Sequence, residues 1–278
     1  MSRDRHSGHL EAKRDGGQMW DPAQYLSFAD ERSRPFFDLA GRIGATSPGS
    51  VVDLGCGPGQ LTASLAVRWP DANVLGLDSS AEMIAAAQRI DDRGLPGRGT
   101  LSFRVEDVAD WVPDGPVDVI ISNAVLQWVP NHLELLPRWV ACLADGGWLA
   151  FQLPGNFDQP SHAILRDLAG SDRWRTALAG VELNRQSGDP GEYLDLLARL
   201  GLAVDAWETT YLHVLPGPDP VTEWYKGTGL RPVLTALPDD ESAEFIAQYR
   251  ERAQAAYPAK PYGTVLPFRR VFVVAHKA

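Results

Sequence analysis

The sequence predicts an α/β fold: a doubly wound, mostly parallel sheet of seven strands with an antiparallel last strand and a helical insert before that strand. Three observations lead to this prediction. Short apolar runs alternate with helical patterns between residues 50 and 153, and a glycine-rich turn joins the first of these runs to a helix. Two more strand-like runs follow at residues 205–216 and 264–278.

The first five strands are each predicted from an apolar run that is too short for a helix. Helical patterns lie between them, for example QLTASLAVRW after the first strand and HLELLPRWVACLA before the fifth. Strands that alternate with helices at this spacing predict βαβ units, which build a parallel sheet. The five runs are SVVDLG (50–55), NVLGLD (73–78), LSFRVED (101–107), VDVIISN (117–123) and GWLAFQLP (147–154).

The second half of the chain has a different pattern. Residues 158–200 are predicted to be helical, and TVLPFRRVFVVAHKA (264–278) is predicted to be an antiparallel closing strand. Prolines mark both ends of a mostly helical insert between the last two strands. The expected organisation is a flexible tail at 1–18 and a single domain at 19–278, with an N-terminal helical segment at 19–48 and a helical cap at 218–260.

Composition restricts the classes of partner. The formal net charge of −10 argues against non-specific nucleic-acid binding, which needs a basic surface, but it leaves room for a small anionic substrate in a local cationic pocket. No window approaches the roughly 18 apolar residues of a membrane span. Cys56 and Cys142 have neither zinc-type nor disulfide-type spacing, so reduced thiols and a cytoplasmic location are expected.

The motif with the clearest chemistry is DLGCGPG, Asp53 to Gly59, between the first strand and its helix. Its glycines permit a tight turn and let a ligand approach the backbone closely. Dinucleotide-binding enzymes use a related loop. However, Asp53 precedes the first glycine of this loop, and a carboxylate there would lie near the pyrophosphate of a dinucleotide, whereas a cationic ligand with an amino group would tolerate it.

DLGCGPG, with LD closing the second strand and VED the third, resembles the Rossmann-like class I S-adenosylmethionine-dependent methyltransferases. The resemblance covers residues 50–153 and implies S-adenosyl-L-methionine as cofactor and S-adenosyl-L-homocysteine as product. It implies a glycine loop under the methionine part, Asp78 at the ribose hydroxyls and Asp107 at the adenine amino group. The full implied cofactor set is Tyr25, Arg34, Asp53, Gly55, Cys56, Gly57, Gly59, Asp78, Ser79, Met83, Asp107, Val108 and Asn123.

A narrower resemblance covers the chain from Trp20 onward. MWDPAQYLSFADERSRPFFDL, SNAVLQWVPNH, QLPGNFDQPSH, WYKGTGLRP and LPFRRVFVVA are similar to segments of the trans-aconitate 2-methyltransferases, which esterify one carboxylate of a tricarboxylate. A carboxylate with a reference pKa near 4 is already an anionic nucleophile, so no general base is required. We therefore expect no catalytic acid or base and no metal, and name none.

A tricarboxylate requires cationic partners, and arginine binds carboxylates in a bidentate manner. EWYKGTGLRP (223–232) lacks the GxxxxGK[ST] pattern of a phosphate loop, so it is assigned to the acceptor side, with Arg231 as the preferred arginine. Arg269 and Arg270 are adjacent in a strand, so at most one should enter the site. The expected acceptor set is Trp20, Arg32, Trp128, His132, Trp224, Tyr225, Lys226, Arg231 and Arg269.

Several alternatives stay open from the sequence alone. Asp78 fits a helix N-cap, Met83 and the aromatics fit core packing, His132 fits a structural role, and each arginine fits a solvated surface charge. The acid could instead be a malonyl thioester on a carrier protein or a fatty acid. A non-catalytic cofactor-binding protein is a third interpretation, and the oligomeric state, monomer or homodimer, is left undecided.

Overall fold

A computed structural model describes residues 29–90, 97–183 and 187–278 of the chain. Seven strands form one sheet in the order β3-β2-β1-β4-β5-β7-β6. Their bounds are β1 Ser50–Leu54, β2 Asn73–Asp78, β3 Thr100–Val105, β4 Val117–Asn123, β5 Leu143–Pro154, β6 Leu202–Leu215 and β7 Thr264–Lys277.

Strand directions confirm the predicted sheet. The β1–β2, β1–β4, β2–β3 and β4–β5 pairs are parallel, and β7 is antiparallel to both β5 and β6. The last strand in sequence is therefore inserted between β5 and β6, with β6 at the edge. This order places the carboxyl ends of β1, β2, β3 and β4 side by side, where open α/β sheets bind ligands.

Helices cover both faces of the sheet and extend beyond one end of it. Two short 3₁₀ turns, Leu126–Trp128 and His132–Glu134, precede the fourth helix. The helices are α1 Ala29–Ala40, α2 Gln60–Arg68, α3 Ala81–Ala87, α4 Leu136–Ala141, α5 Pro160–Ala169, α6 Pro190–Arg199, α7 Pro220–Lys226, α8 Arg231–Ala236 and α9 Asp239–Ala256.

Two elements differ from the sequence prediction. The helix expected from HLELLPRWVACLA is divided, because Pro137 lacks an N–H and is tolerated only at the start of α4; a 3₁₀ turn precedes it. The helical stretch expected at 158–200 forms two helices, α5 and α6, joined in its described part by turns over residues 171–180. The antiparallel closing strand and the helical content of the insert are confirmed.

The core has two layers, one on each face of the sheet. Alternation along β1 sends Val51 to the cluster with α1 and α2, and Val52 to the cluster with α4 and α6. A third cluster joins α5 and α7–α9 to the projecting ends of β6 and β7. Among the described helices, none is long and apolar enough to cross a membrane.

Candidate active site

A cavity of about 320 Å³ lies between the carboxyl ends of the central strands and the third cluster. One side comes from the loops after β1, β2, β3 and β4, and the other from β7, α5 and the α7–α8 turn. The described residues that line it are Gly55, Gly57, Pro58, Asp78, Ser79, Met83, Asp107, Val108, Asn123, Ala124, Val125, Gln127, Trp128, Val129, Pro154, Asn156, Phe157, His162, Trp224, Tyr225, Thr228, Gly229, Phe268 and Arg270.

The glycine loop has three glycines in left-handed backbone conformation, with φ of 81° at Gly55, 55° at Gly57 and 86° at Gly59. A Cβ on Gly55 would lie 2.0 Å from a methyl carbon of Val125, and one on Gly59 would lie 2.7 Å from Ala87 Cβ of α3 and 2.8 Å from the Phe103 ring of β3. A Cβ on Gly57 would meet nothing within 4 Å. Gly57 therefore faces open space, and Gly59, which does not line the cavity, is required for packing.

Asp78 is fixed at the end of β2 by two backbone donors. Gly57 N–H donates to its Oδ2 and Ser80 N–H to its Oδ1, both at 2.9 Å. Burial raises the pKa of this carboxyl, and the hydrogen bonds from the two N–H donors partly offset that rise. The side chain lines the cavity, so it is available to accept hydrogen bonds from a ligand there. Ser80, not Asp78, caps α3, since its hydroxyl accepts the Met83 N–H.

Asp53 occupies a different position from the one the sequence suggested. Its side chain is 2% exposed, lies behind the cavity wall and accepts the Thr62 hydroxyl at 2.6 Å through Oδ2. Burial raises its pKa to about 7. Cys56 is also buried behind the wall, and burial raises the pKa of its thiol. Neither residue is brought into the cavity.

The loops after β3 and β4 supply the rest of the cofactor side. Asp107 accepts the Ala109 N–H at 2.9 Å and lines the cavity together with buried Val108. Asn123 ends β4, and its Oδ1 accepts the side-chain amide of Gln152. Arg34 does not reach the cavity: it is exposed on α1 and lies over the Tyr211 ring, 5.0 Å from its centroid.

On the acceptor side, the structure places Arg270 rather than Arg269 in the cavity wall. Arg270 is 4% exposed and donates through Nη1 to Gln152 Oε1 at 3.1 Å. Arg269 points to the opposite face of β7 and pairs with Glu208 and Asp189. This corrects the choice of Arg269, and the alternation of side chains along a strand is the reason.

Three of the four aromatic residues that the sequence assigned to the acceptor side lie in the cavity wall, and the fourth, Trp20, is outside the described residues. Trp128, Trp224 and Tyr225 all line the cavity, and Trp224 and Tyr225 are each 1% exposed. Thr228 and Gly229, from the middle of EWYKGTGLRP, also line it. A Cβ on Gly229 would lie 2.8 Å from the Tyr225 ring, so a larger residue could not keep this close approach.

Three other predicted acceptor residues lie elsewhere. Lys226 pairs with Glu223 at 2.6 Å, three residues earlier on the same helix. Arg231 begins α8 and does not line the cavity. His132 begins the second 3₁₀ turn and does not line the cavity. Its Nε2 is 2.7 Å from the Tyr193 hydroxyl, and burial lowers its pKa. Trp20, Tyr25 and the side chain of Arg32 lie outside the described residues.

Sequence reasoning missed several wall residues: Gln127, Asn156, Phe157, His162 and Arg270. Asn156 and Phe157 are two and three residues after the end of β5, so the strand-end rule that selected Asp78 and Asp107 would have found them. For Arg270 the alternation along β7 limited the choice to one of two arginines without deciding between them. His162 contacts the ring of Tyr225 edge-on, with centroids 5.2 Å apart, through a tertiary contact without a sequence signal.

The cofactor side fits a nucleoside with a positively charged amino-acid arm. Gly57 leaves space for a close approach, Asp78 offers a fixed carboxylate, and Met83 and Val108 give apolar surface beside Asp107. The carboxylate of Asp78, which lines the cavity beside the loop, favours a cation. In the described part of the chain, no three His, Cys, Asp or Glu side chains come together as metal ligands would.

Comparisons with known proteins agree with this geometry. Residues 25–206 match the family model for a methyltransferase domain. Among solved structures, the YcgJ protein of Bacillus subtilis is similar with a TM-score of 0.56, 13% identity and coverage of 88% of this chain and 98% of that one. A phosphoethanolamine N-methyltransferase of Haemonchus contortus, bound to S-adenosylhomocysteine, gives 0.51 at 14% identity, over 88% and 52% of the two chains.

Sequence relatives cover nearly the whole chain. The trans-aconitate 2-methyltransferase of Streptomyces avermitilis is 52% identical over 93% of this chain and 97% of its own length. That of Rhodococcus jostii is 53% identical over 92% and 99%. With this identity, the matched domain and the sheet order, the chain belongs to the trans-aconitate 2-methyltransferase family of class I S-adenosylmethionine-dependent methyltransferases.

Proposed function

We propose that the chain transfers a methyl group from S-adenosylmethionine to one carboxylate of trans-aconitate. The observation that carries the proposal is a buried cation in the acceptor half of a cavity whose other half fits the cofactor: Arg270, 4% exposed, in the cavity wall. A buried guanidinium has a fork of N–H donors that matches a carboxylate. The names of relatives about half identical to the chain support the same acid.

On the cofactor side we propose that the wall residues act as holders. Asp78 would accept hydrogen bonds from the ribose hydroxyls, and Met83 would pack on the adenine ring. At the polar edge of the adenine, Asp107 would accept a hydrogen bond and the backbone of Val108 would donate one. Gly57 would let the methionine part pass close to the backbone. When bound, the cofactor supplies an electrophilic methyl group on a positively charged sulfur.

The residues of the chain have only positioning and desolvation to supply on the acceptor side. A carboxylate is ionised at neutral pH, so no side chain has to remove a proton from it. Arg270 would hold the acid through carboxylates that do not react, which leaves one oxygen free to line up with the methyl carbon. Trp128, Trp224 and Tyr225 would exclude water from that oxygen and so raise its reactivity.

The remaining parts of the proposal concern organisation. Residues 218–260 would act as a cap over the acceptor site within one domain at 19–278, and they contribute Trp224, Tyr225 and the Thr228–Gly229 turn to the wall. The acid would be the partner, with no nucleic acid or membrane required. A cytoplasmic location fits the reduced thiols of Cys56 and Cys142, and the protein would act as a monomer or homodimer.

The test is incubation of the chain with methyl-labelled S-adenosylmethionine and a panel of acids: trans-aconitate, cis-aconitate, isocitrate, a malonyl thioester and a long-chain fatty acid. We expect trans-aconitate to give the highest kcat/KM and a base-labile methyl ester. Labelling of the thioester or the fatty acid alone would replace the proposed acid with that one. Tight binding of the cofactor without transfer to any acid would instead support a non-catalytic role.

A further inference from the structure

Gln152 connects the two halves of the cavity from behind. It is 1% exposed in β5, directly opposite Asn123 of β4 in the parallel register. Its partner on the other side is Phe272 of β7, and Arg270 is two residues from Phe272, hence on the same face. Asn123 and Arg270 both line the cavity, whereas Gln152 does not.

The hydrogen bonds through Gln152 have one possible direction. A guanidinium has donors and no acceptor, so Arg270 Nη1 must donate to Gln152 Oε1, at 3.1 Å. Since the Gln152 oxygen accepts from Arg270, the Gln152 amide nitrogen points the other way and donates to Asn123 Oδ1. Asn123 Oδ1 thus accepts a hydrogen bond from Gln152 behind the wall, and Nδ2 is the only hydrogen-bond donor of the Asn123 side chain.

The row of hydrogen bonds from Arg270 through Gln152 to Asn123 increases the positive charge on the Asn123 amide hydrogens. Hydrogen bonds in a row polarise one another, and a cation at the start strengthens each donor after it. The amide N–H groups of Asn123 thus have more positive character than those of an isolated amide. A carboxylate is the group that such a donor binds best.

We propose that Gln152 is a positioning residue: it holds Arg270 and turns the Asn123 amide so that its N–H faces the cavity and binds a carboxylate there. That carboxylate belongs either to the acid substrate or to the methionine part of the cofactor. The substrate assignment rests on the proposed function, whereas the orientation of the amide does not.

The test is a double-mutant cycle on ligand affinity with Gln152→Leu, Asn123→Ala and the double variant. Calorimetry gives the Kd of S-adenosylhomocysteine, and the Kd of trans-aconitate in the presence of S-adenosylhomocysteine. We expect each single variant to weaken one of these affinities about ten-fold, as for one charge-assisted hydrogen bond. The double variant should be weaker than either single variant by no more than about two-fold, because both remove the same donor.

A matched control cycle pairs Gln152→Leu with Asp107→Ala, at the far end of the cavity, where the two effects should multiply. If Gln152→Leu does not fold, Gln152→Glu replaces it. Its carboxylate still accepts from Arg270 but turns the Asn123 amide, so the same loss of affinity is expected.

The two affinities also separate this proposal from the proposed function. A change in the Kd of the acid places the carboxylate on the substrate, and a change in that of S-adenosylhomocysteine places it on the cofactor. Multiplicative effects of Gln152 and Asn123, or unchanged affinities, would overturn the role of Gln152. A wild-type chain that neither binds nor methylates trans-aconitate would reject the proposed function, and the cycle on S-adenosylhomocysteine would then decide the role of Gln152 alone.

Discussion

The neighbouring arginines of β7 differ in environment although they are identical in type. Arg270 is buried in the cavity wall beside Gln152, and Arg269 lies on the other face with Glu208 and Asp189. The guanidinium of Arg270 is planar and can bind a carboxylate bidentately, which the ammonium of a lysine cannot. The position of this one side chain therefore determines where the acid is held in the proposed site.

We expect Arg270→Lys to raise the KM of trans-aconitate at least about ten-fold, since one charge-assisted hydrogen bond is lost while the charge is kept. The KM of S-adenosylmethionine should change much less. Steady-state kinetics with each substrate varied separately measure both values. Arg269→Lys is the matched control and should leave the KM of the acid within about two-fold. Equal effects of the two substitutions would remove Arg270 from the acceptor site.

Asp53 predicts a pH dependence of stability. Its pKa in the folded protein is about 7, against an ordinary value of 3.8, because burial disfavours the carboxylate. The folded state therefore binds more protons than the unfolded state between these pH values, and this residue's contribution to stability falls as the pH rises through that window.

We expect Asp53→Asn to become more stable relative to wild type as the pH rises, because asparagine has no charge to bury. Thermal unfolding without cofactor, at pH 4.5 and at pH 8, measures the two Tm values. The difference, variant minus wild type, should increase by roughly 5 °C or more over this range. Titrating groups that do not interact with Asp53 contribute equally to both proteins and cancel in the comparison. A difference that stays constant with pH would mean that Asp53 is ionised in the folded protein throughout.

At the scale of elements, strand ends explain what the sequence could predict about the site. Asp78, Asp107 and Asn123 each close or directly follow a parallel strand, so their convergence at one edge of the sheet follows from strand order. The acceptor side has no such rule. It is assembled from β7, α5 and the α7–α8 turn, whose relative placement depends on tertiary packing. The sequence therefore favoured Arg231 and Lys226, which do not line the cavity, and left out Arg270, which does.

Helices α5, α7 and α9 are joined by buried hydroxyl groups. The Tyr225 hydroxyl of α7 accepts from Ser161 Oγ of α5 at 2.7 Å and from Asn156 Nδ2 at 2.9 Å. The Tyr249 hydroxyl of α9 donates to the Ser161 carbonyl at 3.2 Å. Ser161 and Asn156 are at most 1% exposed, so water cannot easily replace a lost partner.

Tyr225→Phe should lower the free energy of unfolding by about 1–3 kcal/mol, because it leaves two buried donors without an acceptor. Urea denaturation measures this value. Tyr262→Phe is the control, because Tyr262 is 63% exposed. The free energy of unfolding of this variant should stay within about 0.5 kcal/mol of the wild-type value. If the two variants are equally stable, the hydroxyl network does not hold the helices together.

At the scale of the whole molecule, the sheet was predictable and the membership of the third cluster was not. Periodicity determines which runs are strands, and the third cluster depends on which helices share a core. That cluster includes Leu165, Leu168 and Trp174, which precede the 218–260 insert by some 40 residues or more. Contacts at such sequence separation leave no local pattern, so α5 was not assigned to the same unit as α7–α9.

Net charge gives a prediction that involves the whole surface. The chain carries −10, the acid is a tricarboxylate, and S-adenosylmethionine has a net positive charge. Long-range repulsion therefore opposes the approach of the acid, and long-range attraction favours that of the cofactor. Salt screens both effects, since the Debye length falls from about 30 Å at 0.01 M to about 8 Å at 0.15 M. Arg270 is buried, so its short-range attraction for the acid is screened less.

We expect opposite salt dependences of the two KM values. Between 10 and 150 mM sodium chloride, the KM of trans-aconitate should fall about two- to three-fold, whereas the KM of S-adenosylmethionine should rise or stay constant. Initial rates with each substrate varied at saturating levels of the other measure both. A KM for the acid that instead rises steeply with salt would mean that exposed cations near the cavity mouth, rather than the net charge and buried Arg270, govern the capture of the acid.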